Sequence, residues 1–105
     1  MGLKIYWTSF SKRELQNIFD YYKEAASVGI ARKLIFEITH AVLKLQNQPN
    51  IGQREELLID RKEEFRYLVY KNYKVFYWFN TMKDRIEITD IFDTRQNPIK
   101  IERNK

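Results

Sequence analysis

Hydrophobic residues recur in the first half of the chain at the spacing of amphipathic helices and in the second half at the spacing of strands. Residues 3–8 alternate between polar and apolar side chains and predict a short first strand. A helix is then predicted from Ser11, which fits a capping box with Glu14, to about Ala26. The apolar face of this helix consists of Leu15, Ile18, Phe19, Tyr22 and Ala25.

A second helix is predicted after a short interruption. Ser27-Val28-Gly29 breaks the helical pattern, and Pro49-Asn50 ends its continuation. The apolar positions between these two breaks are Ile30, Leu34, Ile38, Val42 and Leu45. Because the joint is so short, the two amphipathic helices are expected to lie as an antiparallel hairpin.

The second half of the chain predicts a run of strands, over about residues 66–70, 73–80 and 85–92. Lys71-Asn72 and Thr81 to Asp84 are the predicted turns between them. The element order β-α-α-β-β-β indicates an α+β fold in which the helical hairpin packs on one face of a small antiparallel sheet. The length of 105 residues fits a single domain spanning residues 1–105.

Two segments outside these elements are polar. Residues 51–64 contain a compact run of acidic side chains and are predicted to form a solvated loop, with one strand or helical turn at Leu57-Leu58-Ile59. Residues 96–105 form a basic tail that is predicted to be mobile on its own.

The predicted strand at residues 73–80 is apolar on both faces. Tyr77 lies among the apolar side chains of one face, whereas Phe76 and Trp78 lie on the other. One helical layer can cover only one of these faces, so the second needs the tail, a dimer mate or a partner protein as its cover. Tyr77 and Trp78 are therefore candidates for a partner or target surface.

Composition narrows the classes of function. The formal net charge of +5 is compatible with a nucleic acid, with an acidic protein partner, or with ordinary solubility. Without cysteine the chain can form neither disulfides nor thiolate zinc sites, and it shows no signal peptide or membrane-spanning run, so a cytoplasmic protein is expected. The sole histidine, His40, cannot complete a metal site or a nucleophilic triad, and no cofactor is expected.

Three arginines are the main candidates for chemistry. Arg66 opens the second predicted strand, Arg85 opens the last, and Arg95 follows its end. Guanidinium groups can hold a phosphate and stabilise the charge that develops during metal-free RNA cleavage. The alternative is that these arginines pair with acidic side chains at the strand ends, which are Glu87, Asp90 and Asp93.

The element order and the terminal run from Ile91 to Pro98 resemble the RelE/ParE superfamily, the toxins of bacterial type II toxin–antitoxin pairs. In the ribosome-dependent RelE branch an arginine in the place of Arg66 contributes to mRNA cleavage, so the resemblance implies this role for Arg66. That branch also carries a Tyr or His near its C-terminus, and residues 94–105 contain neither.

The terminal run is more similar to the ParE branch, whose members inhibit DNA gyrase. Arg95 and Pro98 match the pattern of that branch, and Asp93 stands where His is usual. The resemblance therefore implies a ParE-like, plasmid-stabilisation type of toxin that acts on gyrase rather than on RNA. The alternatives are a ribosome-dependent mRNA endoribonuclease that uses Arg66 and Arg95, or an inactive module that only binds the antitoxin.

Both branches imply the same partner. An acidic antitoxin with a disordered tail is expected to wrap the toxin as a helix and an added strand. The residues assigned to the antitoxin or target surface are Tyr77, Trp78, Arg85 and Asp93. Oligomers are expected only through the antitoxin or through weak self-association.

Overall fold

The computed structural model describes residues 2–55 and 63–94. Its elements are β1 (Lys4–Trp7), α1 (Ser9–Ala25), α2 (Val28–Leu43), a 3₁₀ helix (Lys44–Gln46), β2 (Gln53–Arg54), β3 (Arg66–Tyr70), β4 (Tyr73–Asn80) and β5 (Arg85–Asp93). The predicted α+β class and the order β-α-α followed by antiparallel strands are confirmed. No helix within the described residues is long and apolar enough to cross a membrane.

The first helix begins earlier than predicted. Its N-cap is Thr8, whose hydroxyl accepts a hydrogen bond from the backbone N–H of Ser11 at 3.2 Å and donates to the carbonyl of Ile88 at 3.0 Å. Ser11, the predicted cap, lies in the first turn and is fully buried. Thr8 takes the capping position because β5 supplies an acceptor for its hydroxyl, a contact that local spacing does not reveal.

The helical hairpin has a joint of only two residues. Ser27 caps α2 by accepting a hydrogen bond from the N–H of Ile30 at 3.1 Å, so α2 begins at Val28 rather than at Ile30. Ile30 itself is 54% exposed and lies outside the core to which its spacing assigns it. The antiparallel hairpin is confirmed, and its α2 helix ends before Pro49, as predicted.

The strands form one sheet in the order β1-β5-β4-β3-β2. The expectation of a purely antiparallel sheet is wrong at one edge, because β1 pairs with β5 in parallel, with Ile5 opposite Ile86. The connection from β1 to β5 includes both helices, and a long crossover of this kind is what a parallel pair requires. The two-residue strand β2 lies within the segment predicted to be a solvated loop. Leu57-Leu58-Ile59 and the tail lie outside the described residues.

The helices cover one face of the sheet with the main hydrophobic core. Its buried members are Leu34, Ile38, Val42, Leu45, Tyr73, Val75, Tyr77, Ile86, Ile88 and Ile91. The opposite face carries a smaller cluster of Phe65, Phe76 and Phe92, flanked by Tyr67 and Trp78. Part of the cover that the second face requires therefore comes from Phe65, which immediately precedes β3.

One irregularity keeps the isoleucines of β5 on the helical side. Phe76 pairs with Asp90, but the next residue, Tyr77, pairs with Ile88, so Thr89 is an extra residue in β5. The hydroxyl of Thr89 donates to the carbonyl of Phe76 at 3.4 Å. A β-bulge of this kind lets Ile88 and Ile91, which are three positions apart, face the same core.

Candidate functional site

Arg66 is held by acceptors of its own chain. Its Nη1 atom donates to the carbonyl of Gly52 at 2.8 Å and to that of Asn50 at 3.4 Å, and its Nη2 atom lies 2.7 Å from Oε2 of Glu64. The side chain is 21% exposed. The guanidinium thus ties the segment before β2 to the start of β3.

Tyr77 supports the same segment from inside the core. Its hydroxyl accepts from the N–H of Gly52 at 2.9 Å and donates to the carbonyl of Pro49 at 2.8 Å. Burial raises the pKa of this hydroxyl above its ordinary value. Tyr77 is fully buried, so its assignment to a partner or target surface is wrong. The β-bulge and the pleat of the sheet place Tyr77 under the helices. Alternation in the sequence separates the two faces of the strand but does not show which face the helices cover.

Gly52 is the residue that allows this arrangement. A Cβ atom at position 52 would lie 2.5 Å from the hydroxyl oxygen of Tyr77 and 2.7 Å from the carbonyl oxygen of Tyr67. Neither a core tyrosine nor a strand carbonyl can move away easily, so a side chain here would disrupt the contact.

Arg85 lies on the other face of the sheet from Arg66. The guanidinium carbon stacks 3.9 Å above the ring of Tyr6, and its Nε and Nη2 atoms contact Oε2 of Glu87 at 2.8 and 2.7 Å. The pairing with Glu87 that the sequence left open is therefore present. Trp78 is the strand neighbour of Glu87 and is only partly buried, so it borders this Tyr6–Arg85 patch.

The other predicted residues lie apart from these two clusters. Asp93 ends β5 and accepts a hydrogen bond from the side-chain amide of Asn72 at 3.1 Å. Arg95 lies outside the described residues. Arg66 and Arg85, on opposite faces of the sheet, do not come together as one phosphate site.

The side chains that could carry a proton in RNA cleavage in place of the missing C-terminal Tyr or His are Tyr67, Glu55 and Glu56, and the first two have partners within the chain. Tyr67 donates its hydroxyl proton to Oε1 of Gln53 at 3.0 Å, and its ring lies 4.2 Å from the Nζ atom of Lys74. Lys74 in turn lies 3.6 Å from Oε1 of the buried Glu55. Glu56 lies outside the described residues. Within residues 2–55 and 63–94, no three His, Cys, Asp or Glu side chains gather as a metal-binding group.

A large apolar opening lies along α2. Phe36 is 65% exposed and Leu43 is 48% exposed, and the ring of Phe36 stacks on that of His40 with the centroids 5.6 Å apart. We call this opening, of about 650 Å³, the α2 groove. It is lined by Phe36, Glu37, His40, Ala41, Leu43, Lys44 and Tyr70. Phe36 and Leu43 are seven residues apart and off the core-facing positions, which is the one signal that could have marked them.

The fold agrees with the proteins that the chain resembles. A family model described as the ParE toxin of the type II toxin–antitoxin system ParDE matches residues 5–98. The chain belongs to the ParE toxin family. Its fold is shared with a solved structure of the chromosomal ParDE toxin–antitoxin system from P. aeruginosa. That likeness has a TM-score of 0.71 at 20% identity, over 87% of this chain and 95% of that chain. No curated protein sequence matches this chain significantly.

Membership of the ParE toxin family confirms the resemblance seen in the terminal run. The matched region includes the whole segment from Ile91 to Pro98, in which Asp93 replaces the usual His. Asp93 is bonded to the turn between β3 and β4, so in this chain the position helps to hold the sheet together.

Proposed function

We propose that this chain is a cytoplasmic toxin that inhibits DNA gyrase, that it serves in a plasmid-stabilisation type of system, and that a cognate antitoxin neutralises it. Membership of the ParE toxin family supports the class of protein. The target is inferred from the resemblance to the gyrase-inhibiting branch and from the contacts of Arg66, and the neutralisation from the α2 groove.

The α2 groove supports an antitoxin as partner. Phe36 and Leu43 present apolar surface on the same side of α2, and exposed apolar patches of this kind mark protein contacts. The formal charge of +5 favours an acidic partner. A helix or an extended tail laid along α2 would cover both exposed residues.

The state of Arg66 is the observation that favours gyrase over mRNA. A catalytic arginine must offer its N–H groups to a phosphate as charge develops. In this chain the guanidinium of Arg66 already serves two carbonyls and Glu64, and Tyr67 and Glu55 are engaged as well. Cleavage would require all of these contacts to be exchanged for contacts with RNA.

Two assays on the purified chain test the target. We expect the chain to inhibit supercoiling of plasmid DNA by gyrase and to leave a reporter mRNA intact in a reconstituted translation system, as measured by primer extension. Codon-phased cuts that appear only on ribosome-bound message, and that disappear with Arg66→Ala, would overturn the gyrase proposal and establish the endoribonuclease alternative. Intact gyrase activity and intact message together would favour the inactive antitoxin-binding module.

A further inference from the structure

A second opening adjoins the α2 groove where the helical hairpin meets the turn between β3 and β4. We call it the hairpin cleft, and its volume is about 250 Å³. It is lined by Tyr22, Ile30, Lys33, Leu34, Glu37, Lys71, Asn72 and Tyr73. Unlike the α2 groove, it combines two cations with two phenolic hydroxyls.

The two hydroxyls leave one proton available to a ligand. The Tyr73 hydroxyl donates to that of Tyr22 at 3.5 Å, and burial, together with this bond, raises the pKa of Tyr73. The Tyr73 hydroxyl therefore stays protonated at neutral pH. Whichever hydroxyl donates to the other, one of the two protons still needs an acceptor. Tyr73 also has a side-chain hydrogen bond with Asn72, which acts as a donor because it lowers the pKa of Tyr73, so it does not take up this proton.

The charged side chains in and beside the cleft are Lys33, Lys71, Glu37 and Asp93. Lys71 lies 3.9 Å from Oε1 of Glu37, which also accepts a hydrogen bond from Tyr70. Lys33 forms no ion pair within the described part of the chain and is exposed. Asp93 also acts electrostatically on Tyr73, and its carboxylate accepts a hydrogen bond from Asn72. Lys33 is therefore the ammonium group of the cleft with which a further carboxylate can pair.

The cleft and the α2 groove are parts of one continuous surface. Glu37 lines both, and Tyr70 of the groove is followed directly by Lys71 of the cleft. Lys33 and His40 are about two turns apart on α2, roughly 10 Å at about 1.5 Å per residue. A single peptide can therefore reach both openings.

We propose that the hairpin cleft receives one carboxylate side chain of the antitoxin, held by Lys33, Lys71 and the Tyr22–Tyr73 pair, while apolar anchors of the same segment fill the α2 groove. This inference rests on the proposed neutralisation by an antitoxin. The cleft also fixes how the antitoxin segment lies along α2, because its acidic residue must be at the Lys33 end and its apolar anchors at the other. The separation corresponds to about three residues of an extended chain or about seven of a helix.

Selection of short random peptides on the purified chain tests the cleft directly. We expect the selected peptides to carry an apolar pair and, at a fixed distance on one side, an Asp or Glu. The double variant Lys33→Gln, Lys71→Gln should bind such a peptide about fivefold to tenfold more weakly, since two partly exposed ion pairs with the peptide are lost. The matched control Lys12→Gln, Lys83→Gln removes the same charge from two other exposed lysines.

The outcomes separate the cleft from the groove. An equal loss in the control, or selection of apolar pairs with no acidic residue, would overturn the cleft while leaving the groove in place. Peptides that bind Phe36→Glu as well as the unaltered chain would overturn docking on the α2 groove, and the cleft proposal with it. A charge-swapped pair, Lys33→Glu, Lys71→Glu with Lys in place of the peptide acid, should restore binding; failure to restore it would count against a direct contact.

Discussion

Arg66 and Tyr77 fix the segment from Pro49 to Gly52 against the sheet from two sides. Arg66 bonds its carbonyls from the sheet edge, and Tyr77 bonds Pro49 and Gly52 from the core. This segment has no regular structure of its own, so its backbone groups depend on these side chains. Both residues therefore act first on the stability of the folded chain.

Replacement of Arg66 by Ala should lower the free energy of unfolding by about 1–3 kcal/mol, because two carbonyls and Glu64 lose their donor. Urea unfolding followed by circular dichroism measures this change. Arg13→Ala, at an exposed position of α1, should change it by less than about 0.5 kcal/mol. If Arg66→Ala kept full stability and antitoxin binding yet lost growth arrest, Arg66 would act on phosphate rather than as a brace.

At the scale of the elements, the packing of β5 against the helices depends on its β-bulge at Thr89. Deletion of Thr89 removes the extra residue and leaves Ile86, Ile88 and Ile91 on the helical side, so we expect a folded protein that is less stable by about 1–2 kcal/mol. Deletion of Glu87 instead forces Ile86 or Ile88 out of the core and should cost about 3–5 kcal/mol. Urea midpoints compare the two deletions.

The control for the deletion of Glu87 is Glu87→Gln, which alters the partner of Arg85 without shifting the strand. Similar losses from the two deletions would mean that the bulge does not set which residues of β5 face the helices.

Features that are set within one helix or strand could be predicted from the sequence, whereas features that depend on contacts between elements could not. The helical faces of Leu34, Ile38 and Val42 follow from spacing alone, and all three are buried. The start of α1 at Thr8 depends on a carbonyl of β5, far along the chain. The parallel pairing of β1 likewise depends on which strand edge remains open, and alternation carries no information about that choice.

For the whole molecule, two buried tyrosines predict loss of stability in alkali. Burial raises the pKa of Tyr73 and Tyr77 above the ordinary 10.0, so the folded state favours the neutral hydroxyls. The contribution of these two hydroxyls to the free energy of unfolding is fully present below pH 10.0, the ordinary pKa of tyrosine. It is lost as the pH rises through the pKa values of the folded state. The urea concentration at the midpoint of unfolding should therefore decrease as the pH is raised from about 10 to about 11.5.

Tyr73→Phe should make this alkaline decline shallower, because one of the two groups no longer ionises. Tyr21→Phe is the matched control, since Tyr21 is 63% exposed and lies outside the core. A decline as steep in Tyr73→Phe as in the unaltered chain would exclude Tyr73 as a source of the pH dependence.

The surface of the whole molecule was the hardest feature to predict. Arg66 and Arg85 could be picked out as strand-opening cations with acidic side chains nearby in sequence. Their contacts with Gly52 and Tyr6, however, come from distant segments. Tyr77 and Trp78 are adjacent in sequence, yet one is buried and the other borders an open patch. A groove along the two helices could be expected from the sequence, but the residues of the α2 groove could not be named because its apolar residues are few and are separated by polar ones.

The position of β5 also determines when the fold can form during synthesis. β5 is the last strand of the described chain, yet it lies between β1 and β4 in the sheet. A nascent chain that has not reached Asp93 leaves β1 without its partner and leaves part of the apolar faces of α1 and α2 uncovered. Unfinished chains therefore lack an interior strand of the sheet, so the complete fold forms only after β5 has been synthesised.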